Sequence, residues 1–452
     1  MAVRNLFLFG LSLAAGGITY QFTSQLDQSM RITLAIMVIA VILWVTEWIP
    51  LFLTSCVILF LEAVFLGRWG IWEEKGTALF FGPFFNPVIT LFLGGFALSL
   101  AMHKYNLDSI IAAWILHKSR GNPRRLVTLL LLSSAAVSMW ISNAATTVLF
   151  MTVIVPIVKT HTGKNVSKAI LLAIPIGATI GGMATPMGTP PNALAMDAIV
   201  RAGSALSFPL WFILTAPICG VLLLFANWGL EVIFPPANKD KVERQTADRI
   251  EWGIDSAGVL VIFLVTVSLW LTTPLHHIPD GVVALVPIIL LFVTRLLKPV
   301  DLKEMGWDTL LLVGGGMSLG VALKESGVAQ YIVQQVAADP LPQSTAFFAM
   351  ALVTLILSIF ISDTVATSLT IPMIIVLGGV KVTDPVMMAL ASSMGMILPV
   401  SSPANAIVFS SGLVRTWDMV RIGTLFSISG ILTLYIASRL YWPWILSLPL
   451  FR

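Results

Sequence analysis

The chain has 452 residues, of which 57% are hydrophobic and 11% are charged, and its formal net charge is +4. Because a soluble domain carries about 25% charged residues, this composition excludes a soluble globular protein and indicates a polytopic protein with the lipid bilayer as its solvent. The small basic excess does not indicate a nucleic-acid partner, since basic residues of membrane proteins mostly mark cytoplasmic loops. We expect a multi-pass protein of the cell (inner or plasma) membrane.

Apolar stretches recur along the whole chain, and about 20 residues suffice to cross the hydrocarbon core. Two stretches, 126–158 and 345–379, exceed one simple span, and polar residues interrupt each near its middle. This pattern predicts re-entrant hairpins of two half-length helices, which are allowed only where their tips face protein or water. Eleven further apolar stretches are predicted spans, the first being an anchor or span: 5–22, 31–49, 51–66, 88–103, 167–197, 208–235, 257–273, 281–297, 308–323, 384–409 and 420–442.

Two segments, 186–194 and 399–407, are similar in sequence and lie 213 residues apart inside apolar stretches. The matched positions are Pro186 and Pro399, Pro190 and Pro403, Asn192 and Asn405, and Ala193 and Ala406. Paired Pro-interrupted spans at matching positions of two halves are the best sequence indicator of a secondary transporter's substrate site. We therefore expect broken helices at 188–192 and 401–405 to contribute to such a site.

The polar centres of the two long stretches also match, at an offset of 220 residues. They contain Ser142-Asn143-Ala144 and Ser362-Asp363-Thr364, respectively. Upstream, glycines at 94–95 correspond to glycines at 314–316. Because three landmarks recur in one order, the sequence predicts an internal repeat. The predicted parts are an N-terminal anchor with the first scaffold spans (1–50), a first repeat (51–235), a charged linker (236–254) and a second repeat (255–445).

The charges that flank the two hairpins predict their orientation. No acidic residue lies between 118 and 168. The basic residues there are Lys118, Arg120, Arg124, Arg125, Lys159, Lys164 and Lys168, whereas the second hairpin is flanked by Asp339, Lys381 and Asp384. By the positive-inside rule, the first hairpin opens from the cytoplasm and the second from the opposite side. The repeats are therefore predicted to be inverted, with a cytoplasmic linker between them.

The hairpin tips offer ligands for both an anion and a cation. The second helix of each hairpin should begin near Asn143 or Asp363, and a helix N-terminus presents partial positive charge and N–H groups to an anion. The preceding half-helix ends in free carbonyl oxygens, which suit Na⁺, and hydroxyls are hard ligands of the same kind. Serines four residues apart share one helix face, and the pairs are Ser138 with Ser142 and Ser358 with Ser362.

Alternative interpretations of these residues remain open. Serine and glycine in membrane helices commonly serve helix packing, which is the expected role of 314–316. Glu62 and Glu231 are expected to lie at the interface or to face a second subunit. A membrane-embedded enzyme would need clustered His, Asp and Glu at membrane depth, and Asp363 is the one such residue at a tip, so we predict a protein that is not an enzyme.

With these motifs in place, the chain resembles the divalent anion/sodium symporter family of dicarboxylate, citrate and sulfate carriers. The resemblance covers about residues 30–445, and its signature-like segment 392–408 has Met396 where an aromatic residue is usual. It implies an all-α fold of eleven spans plus two hairpins, a scaffold and a transport domain, a homodimer and elevator-like movement. No cofactor is implied beyond Na⁺ as the coupling ion.

The resemblance also assigns roles to individual residues. The implied first cation site comprises Ser138, Ser142, Asn143 and the Gly188 backbone; the second comprises Ser358, Ser362, Asp363 and the Ser401 backbone. Substrate carboxylates would meet Asn143, Thr189, Thr364 and Ser402, and the predicted substrate site includes the adjoining Pro190, Asn192, Pro403 and Asn405.

Two departures from the family motif affect this assignment. Ala144 replaces a threonine and removes one hydroxyl, while Asp363 replaces an asparagine and adds a negative charge that is costly in a low dielectric. Asp363 can bind Na⁺ as a carboxylate, be protonated and give H⁺ coupling, or reflect a less charged substrate; we favour a cation role. A purely structural role for this acid is the remaining alternative.

The sequence thus predicts Na⁺-coupled symport of a small divalent anion by alternating access. A C4 dicarboxylate such as succinate, malate or fumarate is the expected substrate, and sulfate is the second choice. The alternatives are proton coupling through Asp363 and a dicarboxylate exchanger of the same fold. An exchanger should place a fixed basic residue at a tip, and residues 142–147 and 362–367 contain none.

Overall fold

The computed structural model describes most of the chain. The predicted linker falls almost wholly outside this part, as do Arg120, Asp339 and the last residues of the second predicted hairpin. The described residues form helices and turns but no β-strand. They are 2–68, 76–107, 110, 115, 118–119, 121–161, 163–204, 206–235, 253–336, 342–376 and 381–448.

Nine longer helices make up the first half of the described residues. Helix α3 continues into a π-helical turn, Glu62–Arg68, and a short turn Ala78–Phe81 precedes α4. The helices are α1 (Ala2–Phe22), α2 (Gln28–Thr46), α3 (Leu51–Leu61), α4 (Pro87–Lys104), α5 (Pro123–Ser138), α6 (Asn143–His161), α7 (Lys164–Met183), α8 (Pro190–Arg201) and α9 (Phe208–Ile233).

The second half follows a similar order. Short turns at Thr273–His276 and Asp280–Val283 connect its first two helices, and a π-helical turn, Ala437–Tyr441, follows α18. The helices are α10 (Ile254–Leu271), α11 (Leu285–Val293), α12 (Trp307–Glu325), α13 (Val328–Val336), α14 (Gln343–Phe360), α15 (Asp363–Val376), α16 (Thr383–Ser393), α17 (Pro403–Ser410), α18 (Thr416–Ile436) and α19 (Trp442–Ser447).

Several of these helices have the length and composition of membrane spans. Among the described residues, six apolar helical segments reach the length needed to cross a bilayer. They are Gln28–Thr46, Ala78–Lys104, Asn165–Met183, Phe208–Ile233, Ile254–Leu271 and Thr416–Ser447. The two predicted hairpins contribute shorter apolar helices, as expected for helices that cross only half of the bilayer. An all-helical, multi-pass membrane protein is thereby confirmed, while the count of eleven spans stays a prediction.

Both predicted hairpins consist of two helices with a break at the polar centre. Residues 139–142 separate α5 from α6, and residues 361–362 separate α14 from α15. The two helices of each pair pack against each other. The breaks lie where the polar residues predicted them; the re-entrant insertion, the inverted relationship and the domain boundaries stay predictions.

Two predicted spans are also broken, slightly earlier than the sequence suggested. The first is interrupted between Met183 and Pro190, and the second between Ser393 and Pro403. Both prolines occupy the first position of the following helix, where the missing N–H costs nothing and the fixed φ favours helix. The predicted break residues 190–192 and 403–405 therefore form first helical turns rather than the irregular segment itself.

The expectation for Glu62 was wrong. Its side chain is fully buried in the π-helical turn after α3, and Oε2 accepts a hydrogen bond from the Ser318 hydroxyl of α12. The Ser318 hydroxyl also contacts the carbonyl of Phe80 at 3.2 Å. Glu62 thus joins α3 to α12 inside the protein instead of facing the interface or a second subunit.

Buried apolar side chains form two clusters. The larger one spans the first hairpin and the broken spans, and includes Phe150 and Trp211. The smaller one joins α2, α3 and α12 to the start of α15, through residues such as Trp44 and Val365. The second hairpin is thereby anchored against helices from the opposite end of the sequence.

The glycines of the repeated Gly-Gly motif mark close helix contacts, as predicted. A Cβ at Gly94 would lie 2.4 Å from the carbonyl oxygen of Ala284, and one at Gly315 would lie 2.2 Å from Cβ of Ser55. Neither approach leaves room for a side chain, so α3 and α12 can touch only because Gly315 has none.

Substitution of Gly315 by alanine should therefore destabilise the protein, by about 1–3 kcal/mol, which is typical of overpacking. The matched control is Gly220→Ala on α9, where an added Cβ meets nothing within 4 Å; removing a mid-helix glycine should there stabilise by about 0.5–1 kcal/mol. Thermal unfolding in detergent measures both variants, and equal melting temperatures would contradict the packing described.

Candidate functional site

Helices that begin at the breaks of one half pack on helices of the other half. Helix α8, the second part of the first broken span, packs on α15 of the second hairpin. Helix α17, the second part of the second broken span, packs on α6 of the first hairpin. Each broken span is thus in contact with the hairpin of the opposite half of the chain.

At the first hairpin tip, side chains bind one another and the start of α6. The Ser138 hydroxyl donates to Oδ1 of Asn143 at 2.7 Å. The Ser142 hydroxyl accepts from the backbone N–H of Ala145 at 3.3 Å and so caps α6. Ser138 is buried, which places this hydroxyl–amide pair in the interior.

Oxygens of the hairpin and of the first broken span converge beside Gly182. A Cβ at Gly182 would lie 2.4 Å from Oδ1 of Asn143 and 3.0 Å from the carbonyl oxygen of Gly188. Oδ1 of Asn143 and the Gly188 carbonyl oxygen, two predicted cation ligands, therefore both pack against Gly182, which has no side chain to keep them away. The Ser138 hydroxyl is bound to the first of these oxygens.

At the second tip, donors gather around one oxygen of Asp363. Its Oδ1 accepts from the Thr364 N–H at 2.7 Å and from the Thr364 hydroxyl at 3.2 Å. The Ser362 hydroxyl lies 3.5 Å from the same oxygen. The described contacts of the Asp363 carboxyl group are thus all on Oδ1, and Oδ2 is left for another partner.

The other predicted ligands of the second site are bound to the backbone of the second broken span. The Ser358 hydroxyl donates to the carbonyl of Ser392, and a Cβ at Gly395 would lie 2.6 Å from that hydroxyl. The Ser401 hydroxyl donates to the carbonyl of Leu398 at 2.8 Å. The second hairpin therefore meets its own broken span through Ser358, in the way that the first does through Asn143.

Asn192 and Asn405 brace the two irregular segments in equivalent ways. Nδ2 of Asn192 donates to the carbonyls of Gly182 at 2.9 Å and Thr185 at 2.7 Å. Nδ2 of Asn405 donates to the carbonyls of Met396 at 3.3 Å and Leu398 at 3.1 Å. In both halves one bond spans seven residues. The amide nitrogens are thus occupied by the protein, while Oδ1 of Asn192 is buried without a hydrogen-bond partner.

The residues before the two helix-starting prolines differ between the halves. Thr189 and Ser402 have nearly the same extended backbone, yet only the Ser402 hydroxyl caps its helix, by accepting from the Asn405 N–H at 3.2 Å. The Thr189 hydroxyl is buried and makes no such cap. Since Pro190 and Pro403 lack N–H groups, the helix N-termini richest in free donors are those of α6 and α15.

Sequence reasoning missed three residues of this arrangement. The Thr185 hydroxyl donates to the carbonyl of Met139 at 2.5 Å and ties the first broken span to the hairpin tip. Gly182 and Gly395 make the close approaches described above. These glycines lie 213 residues apart, the offset of the proline motifs, so the repeat could have revealed them.

Polar residues at paired helix breaks in the two halves of an all-helical membrane protein are typical of a membrane transporter. The family model for citrate transporters, CitMHS, matches residues 41–392 and 267–449. The chain belongs to this family, and the predicted relationship to divalent anion/sodium symporters is confirmed.

Individual relatives agree with this assignment. An uncharacterized transporter of Methanocaldococcus jannaschii, MJ0672, is 34% identical over 418 residues, which cover 89% of this chain and 92% of the relative. The sodium-dependent dicarboxylate transporter SdcS of Staphylococcus saprophyticus is 27% identical over 425 residues, covering 84% and 80%. The crystal structure of the Alcanivorax borkumensis YdaH transporter has a similar fold, with a TM-score of 0.59 at 14% identity over 87% of this chain and 98% of that one.

The bracing role of the two asparagines predicts a loss of stability in either alanine variant. Asn192→Ala or Asn405→Ala leaves two carbonyls of a break without their donor, which should cost about 1–3 kcal/mol. Thr294→Ala, at an exposed hydroxyl on its own helix, is the matched control. Melting temperatures of the purified proteins measure the effect, and an unchanged value for both asparagine variants would refute the bracing role.

Proposed function

We propose that the protein is a secondary active transporter that carries a small divalent anion together with Na⁺. The anion is a C4 dicarboxylate such as succinate, malate or fumarate. The observation that supports this most directly is the approach of Asn143 Oδ1 and the Gly188 carbonyl oxygen, two predicted cation ligands, to the same glycine, Gly182. The relative SdcS is by name a sodium-dependent dicarboxylate transporter, and the family takes its name from citrate.

The oxygen ligands at the two tips suit Na⁺. Hydroxyl, amide, carboxylate and backbone oxygens are hard ligands, which prefer hard cations. The first cation site would use Ser138, Ser142, Asn143 and the Gly188 carbonyl; the second would use Ser358, Ser362, Asp363 and the Ser401 backbone. At the second site, the described donors all contact Oδ1 of Asp363, so Oδ2 is left to bind the cation.

The substrate carboxylates would lie between the tips. The N-termini of α6 and α15 supply N–H groups and partial positive charge, and the hydroxyls of Thr189, Thr364 and Ser402 supply further donors. Ala144 supplies none, which leaves Asn143 as the side-chain contact at the first tip. Pro190 and Pro403 shape the backbone rather than donate, and Asn192 and Asn405 hold it in place.

Coupling follows from the order in which charges enter the site. Asp363 is a negative charge beside an anion site in a low dielectric, so Na⁺ must bind first to offset it. The anion then completes a site whose negative charges are largely offset by the bound cations and which can cross the membrane, whereas a partly occupied site with a larger net charge cannot. We propose that alternating access uses inverted repeats and elevator-like movement of the hairpins and broken spans against a dimeric scaffold in the cell membrane.

Proton coupling through Asp363 is the second candidate, because a carboxyl replaces the family's amide at this tip. A proton on Oδ2 would neutralise the site as Na⁺ does. Sulfate is the alternative substrate, and obligatory exchange is the alternative mode. No basic residue lies at 142–147 or 362–367, which counts against an exchanger with a fixed cation.

Uptake of labelled succinate into proteoliposomes tests the proposal. We expect an inward Na⁺ gradient to drive uptake, and a K⁺ gradient not to. Asp363→Asn should retain Na⁺-driven uptake, because the amide keeps an oxygen ligand. Its affinity for Na⁺ should be weaker, with a severalfold higher half-saturating Na⁺ concentration, because the negative charge is lost.

Three other outcomes lead to different conclusions. Uptake that only a proton gradient drives, and that Asp363→Asn abolishes, would make Asp363 the proton site. Uptake that requires internal succinate and ignores Na⁺ would establish exchange. Uptake of labelled sulfate but not succinate, under the same Na⁺ gradient, would keep the symporter and replace its substrate.

A further inference from the structure

A cavity of about 150 Å³ lies between α8, α12 and α15. Its inner end is lined by the buried residues Leu194, Gly316 and Ser368. These three residues meet, since a Cβ at Gly316 would lie 2.5 Å from the Ser368 hydroxyl and 3.2 Å from Leu194. Its mouth is lined by Arg201 and by the exposed residues Lys324 and Glu325.

The cavity leads from the mouth towards the proposed binding site. Helices α8 and α15 begin at the site, with Pro190 and Asp363, and run outward from it. At 1.5 Å per residue, Leu194 lies about 6 Å and Arg201 about 16 Å beyond the start of α8. Ser368 lies about 7.5 Å along α15, and its hydroxyl binds the carbonyl of Thr364, a predicted substrate contact.

Arg201 is held at this mouth by a chain of polar contacts. Its Nε donates to Oδ2 of Asp197 at 2.6 Å, and Oδ1 of Asp197 accepts from Nδ2 of Asn86 at 3.2 Å. Asn86 is itself fixed as the cap of α4, through the N–H groups of Val88 and Ile89. Both oxygens of the buried Asp197 are therefore bound, and the pair engages Arg201 through Nε, which leaves its terminal nitrogens for another acceptor.

A simpler role for Arg201 is stabilisation of the C-terminus of α8, where a cation contributes about 0.3–1 kcal/mol. That role does not explain why both oxygens of the buried Asp197 are bound, or why Arg201 lies on the cavity wall. A guanidinium fixed at one edge can instead present two parallel donors to a carboxylate, which is the geometry in which arginine binds anions.

We propose that this cavity is the access route of the transported anion and that Arg201 binds one of its carboxylates before it reaches the helix breaks. Asp197 and Asn86 are positioning residues that hold the guanidinium over the cavity. That the route delivers a dicarboxylate to the helix breaks rests on the proposed function; the accessibility of the cavity and the positive potential that Arg201 gives it do not.

Thiol modification tests the route without requiring transport. In a background with Cys56→Ser and Cys219→Ala, Ser368→Cys places one thiol at the inner end. Its modification rates with an anionic and a cationic methanethiosulfonate of similar size report the potential along the cavity. Arg201→Gln should lower the anionic-to-cationic rate ratio about fivefold, since one fixed positive charge is removed nearby. Lys303→Gln, an exposed position outside the cavity lining, changes the net charge equally and should leave the ratio unchanged.

Protection of the thiol at 368 by anions then distinguishes anion binding at Arg201 from a simple effect of its charge. Succinate should slow thiol modification in the parent protein and should not slow it in Arg201→Gln. In Arg201→Lys, which keeps the charge but loses the paired donors, succinate should slow modification less than in the parent. Gel filtration and the cationic reagent confirm that each variant is folded and open. Protection by sulfate but not succinate would keep the route and refute the dicarboxylate.

The proposal fails on either of two results. A thiol at 368 that reacts with neither reagent would refute the access route. An unchanged rate ratio in Arg201→Gln, or equal protection in Arg201→Gln and the parent, would refute the role of Arg201.

Discussion

A bilayer offers no water to a backbone group that leaves its helix, so the protein must supply every partner. The rest of this structure depends on how that requirement is met at two broken spans. Asn192 and Asn405 each donate two hydrogen bonds to carbonyls of the irregular segment that precedes them. These bonds stabilise a stretch of non-helical backbone. Its remaining carbonyl oxygens have no helical N–H donor and can bind an ion instead.

Close approach joins each hairpin to its own broken span. Oδ1 of Asn143 and the Gly188 carbonyl oxygen both pack against Gly182, and Gly395 admits the Ser358 hydroxyl in the other half. Packing of α8 on α15 and of α17 on α6 joins each broken span to the hairpin of the other half. The proposed site, made of parts from both halves, would be sensitive to their relative position, which is the property that alternating access requires.

The sequence predicts the position of this site better than its internal bonding. Matching offsets located the hairpin tips at Ser142 and Ser362 and the helix-starting prolines at 190 and 403, because a repeated local constraint leaves a repeated pattern. The offsets did not reveal that Ser358 binds a broken span whereas Ser138 binds Asn143, since equivalent residues adapt to different neighbours. Glu62 was misplaced because its partner, Ser318, is 256 residues away in the chain. For the same reason, the cavity lined by Arg201 left no local pattern.

The central claim is that cation and anion occupy one composite site, and the Na⁺ dependence of anion binding tests it most directly. A ligand that binds only the folded state raises the melting temperature, by an amount that grows with the logarithm of its concentration relative to its dissociation constant. We predict that succinate stabilises the purified protein in Na⁺ but not in K⁺ at equal ionic strength. We also predict that Gly182→Ala, whose Cβ would force Oδ1 of Asn143 out of its position, abolishes the Na⁺ effect. Equal stabilisation by succinate in K⁺, or an unaltered Na⁺ response in Gly182→Ala, would contradict the account.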